Sequence, residues 1–202
     1  MDASRVSADI SVQWHDVVKC GRNAFLNQHA HGRIWLNDPD FIVVRGRDTA
    51  SPQVLRELEV NDPENSRSAM PESLRLGEAR VWASVILLSG GTVTLSDPIG
   101  GLNAQGLEIL KTVISRLSGA PGRVLGWQGD LPAAVLQESG AGRLLGIFNW
   151  GDAPRSIGRL SLPAGAWTDL WSGQRVAHAA SLDDWPVEPR SCLLLEMRAP
   201  GT

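Results

Sequence analysis

One arrangement occurs twice and constrains the fold more than any other feature: a short apolar run ends in an aspartate-bearing turn next to stretches of helical spacing. Ile34-Trp35-Leu36 runs into Asn37-Asp38-Pro39-Asp40, and Thr92-Val93-Thr94-Leu95 runs into Ser96-Asp97-Pro98. Turn-forming side chains and the fixed φ of proline stop each run there. Around them lie three stretches with apolar residues at helical spacing. In residues 15–32 these are Val18, Phe25 and Leu26, with Val17, Cys20 and Ala24 beside them and Gly32 as the stop. Leu76, Ala79, Trp82, Ala83, Ile86 and Leu87 form a second face that ends at Ser89-Gly90-Gly91. Leu107, Leu110, Ile114 and Leu117 form a third, capped by Asn103 and ended by Gly119. The order helix, strand, helix, strand, helix predicts parallel strands joined by crossover helices. Phe41-Ile42-Val43-Val44 continues the ordered part, while residues 45–71, with Pro52, Pro63 and Pro71, read mostly as loop.

After residue 120 the rhythm changes. Candidate strands at residues 123–127, 144–149, 157–162, 167–171 and 192–197 are separated by Gly151-Asp152, Pro163-Ala164-Gly165 and Ser172-Gly173, the cadence of an antiparallel sandwich. Two regions are therefore expected, 1–120 and 121–202. Eight tryptophans stand against three phenylalanines and no tyrosine. Trp127, Trp150, Trp167, Trp171 and Trp185 are read as sandwich core rather than as sugar platforms.

Composition narrows the partners. A net charge of -3 gives no basic field for a phosphate backbone or an anionic membrane. The longest apolar run, residues 81–88, is interrupted by Ser84 and too short to cross a bilayer. Met-Asp-Ala-Ser-Arg at the start holds no apolar signal core, and Cys20 and Cys192 are only two thiols, so a cytoplasmic protein with free thiols is expected.

Side chains at the carboxyl ends of parallel strands converge on one crevice, which makes Asp38, Asp40 and Asp97 the candidates for chemistry. The plainer reading makes Asp38 and Asp40 Asx turns or caps and Asp97 a loop charge. Arg5 and Asp9, four apart, would form an ordinary surface ion pair on a helix. His29 and His31 at i, i+2 point apart on a helix, and no second ligand cluster follows, so no metal or other cofactor is expected. Gly100-Gly101 lacks the rest of a phosphate loop, no Gly-x-Ser-x-Gly elbow occurs, and Cys20 has no base assigned to it.

Taken together, three segments resemble the last third of retaining α-galactosidases, the melibiase clan of glycoside hydrolase families 27 and 36, and more closely the family 36-like bacterial enzymes. They are Arg5-Val6-Ser7-Ala8-Asp9, Gly32-Arg33-Ile34-Trp35-Leu36-Asn37-Asp38-Pro39-Asp40 and residues 88–97, Leu-Ser-Gly-Gly-Thr-Val-Thr-Leu-Ser-Asp. Ile147-Phe148-Asn149-Trp150 and Asp169-Leu170-Trp171-Ser172-Gly173 look like that family's C-terminal β-sandwich, so nearly the whole chain is covered.

The resemblance implies an α/β plus all-β chain: the incomplete C-terminal part of a (β/α)8 TIM barrel in residues 1–120, followed by an antiparallel β-sandwich in 121–202. It implies cleavage of terminal α-galactosides by retaining double displacement. Asp9 matches the general acid/base, Arg5 an arginine that binds sugar hydroxyls, and Asp40 a carboxylate lining the sugar subsite, with Asp38 and Asn37 shaping that loop. Phe41 stands where the family often has Met or Cys. The family's nucleophile belongs to a Lys-x-Asp strand, whereas Lys19 and Lys111 here lead to Gly21 and Val113. A complete barrel takes about 250 residues against about 120 before the sandwich. The chain therefore reads as a carboxyl-terminal portion, lacking the nucleophile and completed by a further barrel segment or an oligomer partner. The other readings are a non-catalytic carbohydrate-binding or assembly module, and an inactive fragment.

Overall fold

The computed structural model describes residues 2–55, 73–140, 142–158, 160–162, 165–176, 181–182 and 185–198. The expected loop at residues 56–71 and the side chain of Trp185 lie outside them.

Helices form in all three stretches of helical spacing, but the first and third stop short of the expected Gly32 and Gly119; the third ends at Ile114, so Leu117, expected on its apolar face, lies outside it and is exposed. Val17, Cys20, Ala24 and Phe25 are buried along one face of α1 (Trp14–Leu26). The helix ends before Gly32 because the apolar face runs out at Leu26. Residues 27–31 instead fold into turns, with the N–H groups of Gln28, Ala30 and His31 donating to the carbonyls of Phe25, Asn27 and Gln28. Helix α2 (Leu76–Ser89) is buried all round from Val81 to Ser89, since it packs against α1, α3 and the main sheet. It stops at Gly90, whose left-handed φ of 68° suits glycine. A Cβ at Gly90 would also lie 2.4 Å from the carbonyl oxygen of Ala120. A 3₁₀ turn at Ile99–Gly101 leads to α3 (Ala104–Ile114). The side-chain oxygen of Asn103 accepts from the N–H groups of Gln105 and Gly106 at 3.0 and 3.1 Å, the cap read from the sequence.

The first strand pair is parallel: β1 (Ala3–Arg5) lies beside β2 (Leu36–Asp38), with Arg5 opposite Asp38 and α1 as the crossover. The apolar run at residues 34–36 therefore feeds β2 rather than forming it. Residues 92–95, expected as a strand, form no regular strand; they run beside β2 and the segment after it in a broken parallel ladder. The Thr92 N–H donates to the Asn37 carbonyl, the Ile42 N–H to that of Thr94, and the Ser96 N–H to that of Ile42. The break falls at Asp40, whose φ of 88° turns the chain out of the ladder. Three neighbouring segments thus run parallel, and the acidic bend sits where two of them separate.

Residues 123–198 build a six-stranded antiparallel sheet in the order β3 (Arg123–Gln128), β4 (Leu131–Ser139), β5 (Gly142–Asn149), β12 (Ser191–Arg198), β8 (Trp167–Asp169), β9 (Arg175–Val176). Sequence reading missed β4, because Pro132-Ala133-Ala134 carries no β-branched signal. Both faces of the sheet are apolar, so it does not stand apart as a simple sandwich. One face offers Val135, Leu144, Phe148, Cys192 and Leu194 to the helices. The other offers Leu136, Leu145, Ile147, Leu195 and Met197 to a second core. Two short ladders stand beside the main sheet: β6 (Arg155–Ile157) with β11 (Trp185–Val187), and β7 (Leu160–Ser161) with β10 (Ser181–Leu182).

Trp150 joins the layers. Its ring stacks on Phe148 and on Trp14 of α1, its indole N–H donates to the Pro132 carbonyl at 2.7 Å, and α1 approaches closely enough that a Cβ on Gly21 would lie 2.7 Å from the ring. Trp167 and Trp171 are buried as expected. Trp127 is not: on β3, at the edge of the sheet, it remains 45% exposed.

Replacing Gly90 by alanine forces a side chain into the left-handed region and against the Ala120 carbonyl. Gly90→Ala is expected to destabilise the fold by at least about 1–2 kcal/mol, read as a lower urea midpoint. An unchanged midpoint would contradict the packing described for the end of α2.

Candidate active site

Arg5 ends β1 and Asp38 ends β2, so both side chains leave from the carboxyl ends of adjacent parallel strands. The Arg5 guanidinium serves three carboxylates. Its Nη1 donates to Asp9 Oδ1 at 2.7 Å, its Nη2 lies 3.2 Å from Asp40 Oδ1, and its Nε lies 3.6 Å from Asp38 Oδ2. Arg5 and Asp9 are four apart in sequence but not on a helix. The pair links the end of β1 to the loop that follows, and α1 begins beyond it at Trp14.

The three acids live in different surroundings. Asp40 has only 1% of its side chain exposed, and a carboxylate so buried must be paired or hydrogen-bonded. Besides Arg5, its Oδ1 accepts from the Phe41 N–H at 2.8 Å and its Oδ2 from the Ile10 N–H at 2.7 Å. These bonds hold the left-handed backbone at Asp40. Asp38 makes the Asx turn, its Oδ1 accepting from the Asp40 N–H at 3.0 Å. The Asp9 side chain is 95% exposed and pairs with Arg5. Phe41 lies beside the cluster, half exposed, with the Arg5 guanidinium 6.0 Å from its ring centroid.

Asn37 is wholly buried behind the bend. Its side-chain NH2 donates to the Asn27 carbonyl at 3.1 Å, and its side-chain oxygen accepts from the Trp35 indole N–H at 2.9 Å. Asp97, the third acid after an apolar run, does not join the cluster. It is buried, accepts from the Val44 N–H at 2.6 Å, and pairs with Arg45 at 2.9 Å. Burial pushes its carboxyl above the ordinary range, against the opposing pull of Val44 and Arg45.

Two contributors escaped sequence reading. Asp16, buried on α1, accepts from the Ser11 hydroxyl and pairs with Lys19 at 2.6 Å. Burial opposes its charge, yet Lys19 and Ser11 outweigh it and hold the carboxyl below its usual range. A charged residue within the apolar stripe of α1 was the available signal. His31, buried behind the bend, is the second. Among the described residues no group of three or more His, Cys, Asp or Glu could hold a metal ion.

No protein-family model and no curated protein matches this chain. Solved structures do. A candidate α-galactosidase/melibiase of Bacteroides fragilis superposes with a TM-score of 0.71 at 15% identity, over 97% of this chain and 42% of that one. A candidate α-N-acetylgalactosaminidase of Bacillus halodurans gives 0.72 at 10% identity, over 96% and 46%. A family 27 β-L-arabinopyranosidase of Geobacillus stearothermophilus, solved with arabinose, gives 0.68 at 11% identity, over 98% and 45%. This chain thus spans less than half the length of each. The fold is that of a portion of α-galactosidase-like glycosidases, in keeping with the carboxyl-terminal portion that the sequence resembles.

Behind the acidic bend, the ring of His31 is buried, and its Nδ1 accepts the Asn37 N–H at 3.0 Å. That bond requires a neutral ring with the proton on Nε2. Burial lowers the His31 pKa from its ordinary 6.5. The unfolded chain therefore gains a proton at higher pH than the folded one. Stability is at its full value above about pH 6.5 and falls as the pH drops toward the lowered value. In His31→Gln the side-chain oxygen can still accept from Asn37. That variant is expected to lose less unfolding free energy than the parent between about pH 7.5 and pH 5.5, since exposed His15 and His29 are common to both. Equal losses in denaturant titrations would show that His31 is not the group responsible.

Proposed function

We propose that this chain is the acid/base half of a retaining glycoside hydrolase of the α-galactosidase type, acting on terminal α-galactosides or closely related sugars. Residues 1–120 would supply the last units of a (β/α)8 barrel and residues 121–202 the accompanying β domain. The observation that carries the reading is the single guanidinium of Arg5, shared by Asp9, Asp38 and Asp40 at the carboxyl ends of two adjacent parallel strands. Active sites of such barrels sit at that end of the strands.

In this reading the three acids divide by environment. Asp9, solvent-facing and held by Arg5, gives a proton to the glycosidic oxygen as the bond breaks and later takes one from water. Asp40, buried and fixed by two backbone N–H groups, lines the subsite, while Asp38 and Asn37 set the shape of the bend. Arg5 and Phe41 form the adjoining wall, a charged donor beside an aromatic face suited to a sugar ring. Retention requires a second carboxylate about 5–5.5 Å from the first to attack the anomeric carbon and form a glycosyl-enzyme intermediate. That nucleophile is assigned to polypeptide outside these 202 residues. Closing the barrel would also shut the site off from water, where a proton shuttle is most effective. Structurally similar proteins include an α-galactosidase solved with raffinose and the arabinopyranosidase solved with arabinose, which supports a carbohydrate substrate.

An assembly module is the second reading, favoured by Ile34, Leu36, Phe41 and Leu95, large apolar side chains exposed on or beside the parallel strands. The barrel reading accounts for them too, Ile34, Leu36 and Leu95 as surface that the remaining strands would cover and Phe41 as the subsite wall.

Activity separates the two. With the rest of the barrel supplied, Asp9→Ala is expected to lower turnover of an alkyl α-galactoside by about 10²–10⁴-fold. The loss should be smaller for an aryl galactoside whose leaving group departs without a proton. Equal turnover of parent and variant on both substrates would remove Asp9 from the mechanism.

A further inference from the structure

Asp16, Cys20 and Asn23 stand at i, i+4 and i+7 on α1, so they share one face over two turns. Each reaches the loop between β1 and α1, in reverse order along it. Asp16 accepts from the Ser11 hydroxyl, the Cys20 thiol donates to the Ala8 carbonyl at 3.4 Å, and the Asn23 NH2 donates to the Ser7 hydroxyl at 3.1 Å. The opposite side of the loop is held by Asp40, which takes the Ile10 N–H at 2.7 Å, and Val12 is buried completely. Residues 7, 8, 10 and 11 are thus each bonded to a rigid element. Asp9 sits between the two bonded pairs, with its side chain in solvent.

This arrangement is more than is needed to close a loop. A helix face made for core packing would carry apolar residues at 16, 20 and 23, and a buried carboxylate among them needs Lys19 and Ser11 to offset its desolvation. A proton shuttle has to be held within a fraction of an ångström of its working position by partners whose own places are fixed. We infer that the Asp16-Cys20-Asn23 face of α1 is a positioning device for residues 7–11 and, through them, for the Asp9 carboxylate. Its consequence for catalysis rests on the reading of Asp9 given above; its effect on the loop does not. Asp16 and Asn23 are positioning residues, since neither touches the acidic cluster in the described contacts.

The test uses the 202-residue chain and the Ser7 and Ser11 hydroxyls, which make two of these bonds. In Ser7→Ala/Ser11→Ala two of the three helix-to-loop bonds are gone while Asp16 keeps its place in the first turn of α1. Amide hydrogen exchange at Ile10, whose N–H is bonded to Asp40, is expected to quicken by about tenfold, the effect of two modest hydrogen bonds, and the global unfolding midpoint is expected to fall modestly, because these bonds are absent from the unfolded chain. Ser7→Thr/Ser11→Thr, which keeps both hydroxyls, should exchange like the parent. Asn23→Leu offers an independent route to the same loosening if the double variant folds poorly. Exchange at Ile10 that stays at the parental rate in both Ser7→Ala/Ser11→Ala and Asn23→Leu would overturn the inference. In the completed barrel, the double alanine variant should lower kcat and leave KM in place. The exchange readout needs no activity, so an inactive parental barrel would sink the glycosidase reading and leave the loop result standing.

Discussion

A carboxylate kept out of water fixes the geometry of the amino-terminal region. Asp40 sits in a backbone conformation that non-glycine residues rarely take, and its charge is compensated by groups from three separate pieces of chain. Arg5 comes from the end of β1, the Ile10 N–H from the loop after it, and the Phe41 N–H from the bend itself. Leaving any of these out would strand a buried charge, so strand, loop and bend are held in one mutual arrangement. The same guanidinium that compensates Asp40 also holds Asp9.

Packing supports this from beneath. Helix α2 can be buried all round from Val81 to Ser89 because it is enclosed by two other helices and by the sheet. The sheet in turn can be apolar on both faces because helices cover one side and a second core covers the other. Trp150 is the clearest single contact between these layers, and Gly21 is the residue that lets α1 come close to it. The first turn of α1, and with it the loop bearing Asp9, is thereby referenced to the sheet more than a hundred residues away in sequence.

Much of this was legible beforehand, for identifiable reasons. Helix α2 carries its own spacing and stop in Leu76–Gly90 and α3 its own spacing and cap from Asn103, so local rules sufficed for these; the end of α3 at Ile114, five residues before the expected Gly119, did not follow from them. The acidic bend was legible through its turn chemistry and through the family resemblance. By contrast, β1 is Ala-Ser-Arg, three residues with no strand preference that become a strand only by pairing with β2. Residues 92–95 carry strong strand preference yet make no regular strand, because the partner backbone swerves at Asp40. Asp97 repeats the local pattern of Asp38 and is buried elsewhere, since the same Asp-Pro turn serves a different neighbour. Contacts such as Asn23 with Ser7 depend on how a loop folds back over a helix, which no local pattern encodes.

The larger apolar core draws on both compositional regions: Val85, Leu87 and Leu88 from one share it with Val135, Phe148 and Leu194 from the other. A change of rhythm near residue 120 is thus not a seam in the energetics. Severing the chain between Ser118 and Gly122 would leave each piece with half an interior, so the two pieces would stay clasped or fall apart together. Evolutionarily, neither could be traded for an unrelated module without rebuilding the surface it presents to the other.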